Sequence, residues 1–451
     1  MQKNLWLKLL FIGLISIALL IPLAMIKGKI YERQNYRDQV KVDIANSWTG
    51  NQTITFPVLV ISYTTESEQK IIGSQGYVAR TQTQTEVHQT LLALPDLKVK
   101  VQQKSDYRYK GIYQIPIYTA DITAHGTISM RELNETKNKL QKIDNFGHFL
   151  PLQLAIGIKD PRGLVSAPVL KIAGKAIAFK AGHAATFDDG FNTNLDEVLA
   201  NSGESSQPID LHLALRGLEQ LDFIPSSRTF AIALQSDWPH PQFTGNYLPT
   251  SRDIDSKGYS ATWQLNEFST GIERAIESCR DTVSQCNKLK SLSFGVALFD
   301  PIDVYQQTDR ATKYAMLFIL ISFTTFFMFE VIKALCIHPI QYLFVGLALA
   351  IFYLLLIALS EHIKFGWSYA VATAACVGLI SLYLKSILKQ WLIVLPFSAV
   401  LLALYAMLFV IMQMEDYALL VGTALTFTLL STLMLATRNI NWYALGRNQS
   451  E

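Results

Sequence analysis

Charge is scarce in this chain, and what there is nearly cancels. Charged side chains make up 17% of the 451 residues, with 39 Lys and Arg against 36 Asp and Glu, a formal net charge of +3. So small and dispersed an excess argues against a nucleic-acid partner. Cysteine is scarcer still, at four. Cys336 and Cys376 lie in or beside apolar runs, where a free thiol behaves as a small buried hydrophobe. Cys279 and Cys286 sit in polar sequence and could form a disulfide closing a short loop, if that region lies outside the cytoplasm. Free thiols are the alternative, and two cysteines alone make a poor metal site. Catalytic motifs are missing too: there is no Gly-rich phosphate loop, GxSxG elbow, CxxC pair or HExxH helix. The expectation is a non-enzymatic protein without cofactor or metal.

What the chain does have is long apolar runs. They lie near 5–26, 314–332, 340–360, 367–384, 391–412 and 417–437. Each is about as long as a helix needs to cross a bilayer, roughly 20 residues. In lipid, their backbone polar groups can be satisfied only as helices. The first run lacks the small residues of a peptidase site and reads as an uncleaved anchor rather than a cleaved signal peptide. With the N-terminus inside, Lys3, Lys8, Lys333, Lys385, Lys389, Arg438 and Arg447 fall on the cytoplasmic side, and only Lys364 falls in the two short outer loops. That asymmetry follows the positive-inside rule. Six spans with both termini cytoplasmic is the expected topology.

Between the first and second runs the pattern changes. Val58-Leu59-Val60-Ile61 is a short buried run, while Leu211, Leu213 and Leu215 alternate with polar residues, as do Phe230, Ile232 and Leu234. Turn signals such as Pro161-Arg162-Gly163 and Lys257-Gly258 separate the pieces. Short alternating segments between Gly/Pro turns predict an antiparallel, sandwich-like β domain. The fold class is therefore a membrane protein of α+β type. Its expected parts are an anchor over 1–26, a periplasmic β domain over 27–312, a five-span bundle over 313–437 and a cytoplasmic tail over 438–451.

Few residues stand out as candidates for chemistry. Glu330 follows four apolar residues near the cytoplasmic end of its run, and an ionisable group in a span is a functional candidate by default. The bland reading pairs it at headgroup depth with Lys333 or Arg438. Glu361-His362 looks like a metal pair, but His338 is 24 residues from His362, roughly 36 Å along one helix, so the two histidines cannot share an ion. Asp309, Arg310 and Lys313 are expected at the outer membrane face with Glu361, His362, Lys364, Glu415 and Asp416. They would form either a salt-bridged collar or independently solvated contacts worth little each. The segment Ser236-Asp237-Trp238-Pro239-His240-Pro241 reads more readily as a rigid turn with a packed indole than as a site.

Several of these segments occur together in one family. Tyr31-Glu32-Arg33 with Tyr36-Arg37, the Ser236–Pro241 turn, Thr308-Asp309-Arg310-Ala311-Thr312-Lys313-Tyr314 and Phe326-Phe327-Met328-Phe329-Glu330 all contribute. So do His338-Pro339-Ile340-Gln341-Tyr342-Leu343, Leu359-Ser360-Glu361-His362 and Thr437-Arg438-Asn439-Ile440-Asn441-Trp442-Tyr443. On these the chain resembles the CreD family of bacterial inner-membrane proteins, also described as cell-envelope integrity or colicin-tolerance proteins. The resemblance implies a link to envelope integrity and to a regulon responding to envelope or β-lactam stress. It implies no enzymatic activity or ligand, and it gives the cysteine pair no support. The expected partners are the lipid bilayer and an unidentified envelope protein or cell-wall component, with homo-oligomerisation left open. The competing expectation is a transporter or lipid-handling protein using Glu330 and the bundle interior, against which the lack of an internal repeat counts.

Overall fold

The structure, a computed structural model, describes residues 2–72, 78–182, 187, 189–200, 205–279, 286–299, 304–332, 337–413 and 418–438. The chain divides into two compact units, Met1–Asp38 with Ile302–Glu451, and Gln39–Pro301. It opens with α1 (Gln2–Ala18) and α2 (Leu20–Ser47). The break at Leu19 has a local cause, because the Pro22 ring would crowd the carbonyl four residues back, that of Ala18. The division between the units falls within α2.

In the second unit, the strands follow in chain order as β1 (Gln52–Ile72), β2 (Val78–Leu92), β3 (Leu94–Lys110), β4 (Tyr113–Ile128), β5 (Phe146–Phe149) and β6 (Gln153–Ile158). Next come β7 (Val169–Ile172), β8 (Lys175–Ile177), β9 (Lys180–Ala181), β10 (Gly190–Asn194), β11 (Gln207–Leu218) and β12 (Gln220–Ile224). The last are β13 (Ser227–Ser236), β14 (Pro241–Gly245), β15 (Ser251–Asp255), β16 (Gly258–Asn266) and β17 (Phe294–Leu298). Helices α3 (Met130–Leu140), α4 (Asp196–Leu199), α5 (Glu267–Thr270), α6 (Ile272–Glu277) and α7 (Asn287–Lys290) lie between them.

These strands form two sheets. The first runs β14-β17-β12-β1-β6-β10-β9, with β2 and β5 also paired to β1, and the second runs β15-β16-β13-β3-β4-β11-β7-β8. Alternation decides the faces: Ile209, Leu211, Leu213 and Leu215 are buried while Asp210 and His212 face solvent. The inner faces of both sheets meet in one apolar layer. Rings bridge it directly, Phe56 to Phe230 at 5.3 Å and Trp263 to Phe294 at 5.4 Å between centroids. The sandwich is not wholly antiparallel as expected, for β1 runs parallel to β12 and β3 parallel to β13. Hairpin neighbours must be antiparallel, but β12 and β13 return after long excursions and can enter in either direction.

Strand β1 explains the continuous apolar run. Its pairing with β6 shifts register between Thr55 and Val58, at Pro57. Ile54 and Phe56 before the shift and Leu59 and Ile61 after it all join the sandwich core. Val58 and Val60 face the other way, into a second apolar cluster with Ile272, Ile276 and Leu289 of α6 and α7. A strand covered on both faces loses its polar alternation. Cys279 and Cys286, both fully buried in that cluster, are joined as a disulfide with their Cα atoms 4.6 Å apart.

The membrane unit resumes with α8 (Val304–Lys313), α9 (Ala315–Ile332), α10 (Pro339–Ser360), α11 (Phe365–Leu388), α12 (Trp391–Gln413) and α13 (Ala418–Thr437). Among the described residues, Leu7–Ser47, Pro339–Ser360, Phe365–Ile387 and Val394–Gln413 are long and apolar enough to cross a membrane. Tyr305–Lys313 and Ala315–Val331, bent by 47° at their junction, make a fifth if counted as one span. Rings tie the helices together: Tyr405 of α12 lies 4.6 Å from both Phe318 of α9 and Phe352 of α10, and the Tyr369 hydroxyl of α11 donates to its carbonyl at 2.5 Å. Gly346 of α10 admits Leu19, since a Cβ there would lie 2.3 Å from the leucine Cδ1. Small residues allow such close approach of helices in lipid.

Candidate functional site

The polar side chains that stand out in the membrane unit gather in two places. At the end of α9, Glu330 is buried and accepts from three directions. Lys8 of α1 donates its ammonium to Oε1, the Ile337 backbone N–H reaches the same oxygen at 3.2 Å, and the Tyr342 hydroxyl donates to Oε2 at 2.8 Å. Lys8 also donates to the Ile337 carbonyl at 2.5 Å and sits 6.0 Å from the Tyr342 ring centre. The His338-Pro339-Ile340-Gln341-Tyr342 segment is built to present these groups. His338 caps α10, with its Nδ1 accepting from Ile340 N, while Gln341 Oε1 accepts from His338 N. Pro339 occupies the first turn, where its missing N–H costs nothing.

Among the described residues the cation at Glu330 is Lys8, 322 positions away in sequence, a partner outside the expected pair of Lys333 and Arg438. Arg438 is exposed, and Lys333 lies outside the described residues. No local spacing could reveal the pair. The expected topology could, because it puts Lys8 and Glu330 both at the cytoplasmic ends of their spans. A buried carboxylate held by an ammonium, a phenol and a backbone N–H is suited to drawing helices together.

The second gathering centres on Glu361, just past α10. Arg33 Nε of α2 lies 3.4 Å from its Oε1, and the Tyr305 hydroxyl of α8 donates to the same oxygen at 3.4 Å. The Arg37 guanidinium lies 5.7 Å from the centre of the Tyr305 ring. Of the expected collar, Lys313 pairs with Asp309 one turn earlier at 3.0 Å. Arg310 is half-buried, whereas His362 and Lys364 are exposed. Glu415 and Asp416 lie outside the described residues. Sequence reasoning missed Arg33, Arg37 and Tyr305 as members, although Arg33 and Arg37 stand four apart on one helix face.

A third polar knot lies in the β unit. Arg162 donates to the Asn46 carbonyl at 2.7 Å and the Ala45 carbonyl at 3.1 Å, so it satisfies the end of α2. Asp160 grips the same guanidinium at 2.9 and 2.7 Å and accepts from Gly50 N at 3.1 Å. Burial disfavours the Asp160 charge, but Arg162 and the backbone donors outweigh it and hold the carboxyl below the usual aspartate range. The Asp160-bound guanidinium is held correspondingly more basic. The sequence showed only a turn here.

The Ser236–Pro241 segment is a turn in which Trp238 is buried against Tyr107 and donates to the Phe299 carbonyl at 3.0 Å. Asp237 accepts from the Ser105 backbone N and hydroxyl. Elsewhere on the sandwich, His125 pairs with Asp210 and His212 with Asp121 on an exposed face. No group of three or more His, Cys, Asp or Glu that could hold a metal occurs among the described residues.

The family model described as Inner membrane protein CreD matches residues 4–443. The chain belongs to the CreD family. It is 32% identical over 431 residues to the Inner membrane protein CreD of Escherichia coli (strain K12), covering 94% of this chain and 91% of that one. The CreD match takes in both Lys8 and Glu330, as well as the whole β unit. Among solved structures, an M1 zinc metallopeptidase from Deinococcus radiodurans matches 38% of each chain at 8% identity and a TM-score of 0.18, too low to carry any statement about fold. Membership of an inner-membrane family accords with the run of apolar helices.

Proposed function

We propose that this protein is a non-enzymatic inner-membrane protein that supports cell-envelope integrity and stress and colicin tolerance. In this reading both termini are cytoplasmic, and the β unit faces the periplasm and binds an envelope protein or cell-wall component. One observation supports it above others: Glu361 ties together Arg33 and Tyr305. Those residues lie on the two segments by which the chain leaves the membrane unit for the β unit and returns to it. A carboxylate at that point positions both segments with respect to α10. A state of the β unit set by its partner therefore has a defined route into the membrane helices. Buried cysteines joined in the β unit also suit an oxidising compartment.

The test is Glu361→Gln in the intact protein. The variant should reach the membrane at wild-type level yet lose envelope tolerance, read as survival under colicin challenge. Full tolerance with normal insertion contradicts the reading.

A second reading, proton-coupled transport or lipid handling through Glu330, draws on the burial of that carboxylate inside a helical unit. The three donors around it weigh on the other side. Glu330→Gln separates the two, because a stable, fully functional variant rules out proton coupling at that group.

A further inference from the structure

The outward face of the first sheet holds a cleft of about 360 Å³ beside α7. Its floor is open because of one glycine. A Cβ on Gly157 would lie 3.1 Å from the Phe187 ring and 3.2 Å from Thr55 Oγ1, closing the space. Thr55 lines this floor at 6% exposure; its backbone belongs to the sheet, and its hydroxyl makes no hydrogen bond among the described residues. Such a hydroxyl is a donor awaiting an acceptor. Phe187 and Leu289 supply apolar walls, and among the described residues of the lining Lys159, Lys290 and Asp189 are charged. The disulfided Cys286 belongs to the same wall, so α7 is covalently held beside the opening.

We propose that this cleft binds an organic monoanion, a compact apolar or aromatic body bearing one carboxylate. The body lies against Phe187 and Leu289, the carboxylate meets the lysines, and the Thr55 hydroxyl donates to it. Apolar lining with a few convergent polar groups is the general form of a small-ligand site. The proposal rests on the reading of the β unit as the binding part of the protein, and it gives that unit a ligand chemistry.

The test uses the full-length protein in nanodiscs, with empty nanodiscs as the blank, and saturation-transfer NMR with 4-phenylbutyrate and its neutral amide. The carboxylate should bind with a Kd of about a millimolar or below, as befits so small a ligand, and the amide at least roughly fivefold more weakly. Lys159→Gln with Lys290→Gln, both exposed positions, should abolish that preference, and Thr55→Val should weaken the acid while leaving the fold intact by circular dichroism. A short peptide ending in phenylalanine decides the source: lysine-dependent binding assigns a peptide C-terminus, and its failure beside bound phenylbutyrate assigns a free acid. No signal above the blank, equal binding of acid and amide, or an undiminished preference in the folded double variant overturns the proposal. If the cleft fails while tolerance still depends on Glu361, the proposed function stands without it. If the cleft binds while Glu361→Gln keeps full tolerance, the proposed function alone falls.

Discussion

Glu330 is the residue whose surroundings best separate structural from chemical roles. Its carboxylate sits in an apolar helical unit with Lys8, Tyr342 and the Ile337 amide as donors. Removing one member of a buried ion pair leaves the other charge uncompensated, typically at a cost of about 3–5 kcal/mol. Lys8→Gln should thus destabilise the protein more than Glu330→Gln, and the double variant should lose less than the sum of the singles. Thermal unfolding in micelles checks this, and strict additivity would show the pair to be uncoupled. At Asp160 the prediction is one of pH. The folded carboxyl titrates below its free value of 3.8. The stabilisation is therefore complete above that value and lost as pH falls through the lower folded one. Because half of the Arg162 side chain is exposed, screening trims the effect. Asp160→Asn should lower the melting temperature of the β unit by roughly 2–4 °C at neutral pH and flatten its acid limb. An unchanged acid limb would mean that the Arg162 cap does not depend on the charge.

At the scale of elements, alternation was a sound guide wherever one face met solvent. The expected patterns at Leu211–Leu215 and Phe230–Leu234 appear as strands β11 and β13 with those residues inward. What the chain could not disclose was pairing between distant segments, and hence the parallel contacts of β1 with β12 and β3 with β13. The shift at Pro57 was equally hidden, because Val58 to Ile61 are all apolar and periodicity vanishes when both faces are covered. The α6–α7 cover of that outer face is closed by Cys279 and Cys286, seven positions apart. Chain entropy for so short a loop gives a stabilisation of about 2 kcal/mol. Replacing both cysteines by serine should speed amide exchange in α6, α7 and the middle of β1 while sparing β3 and β4. Uniform exchange across the sandwich would contradict a local role.

For the whole molecule, hydropathy carried most of what was legible: an apolar N-terminal helix, an interrupting β-rich stretch and a helical remainder. The site was legible only in part. Glu330 and Glu361 stood out because charge is rare among apolar runs, but their partners Lys8 and Arg33 come from more than 300 positions away and Tyr305 from 56, where spacing carries no information. A link through Glu361 between the exit and re-entry segments of the membrane unit is tested by a charge swap, with Arg33→Glu and Glu361→Arg made singly and together and scored for colicin tolerance at matched membrane levels. Each single variant should lose tolerance, and the double variant should recover a substantial part of it. Wild-type tolerance in both single variants would contradict the link.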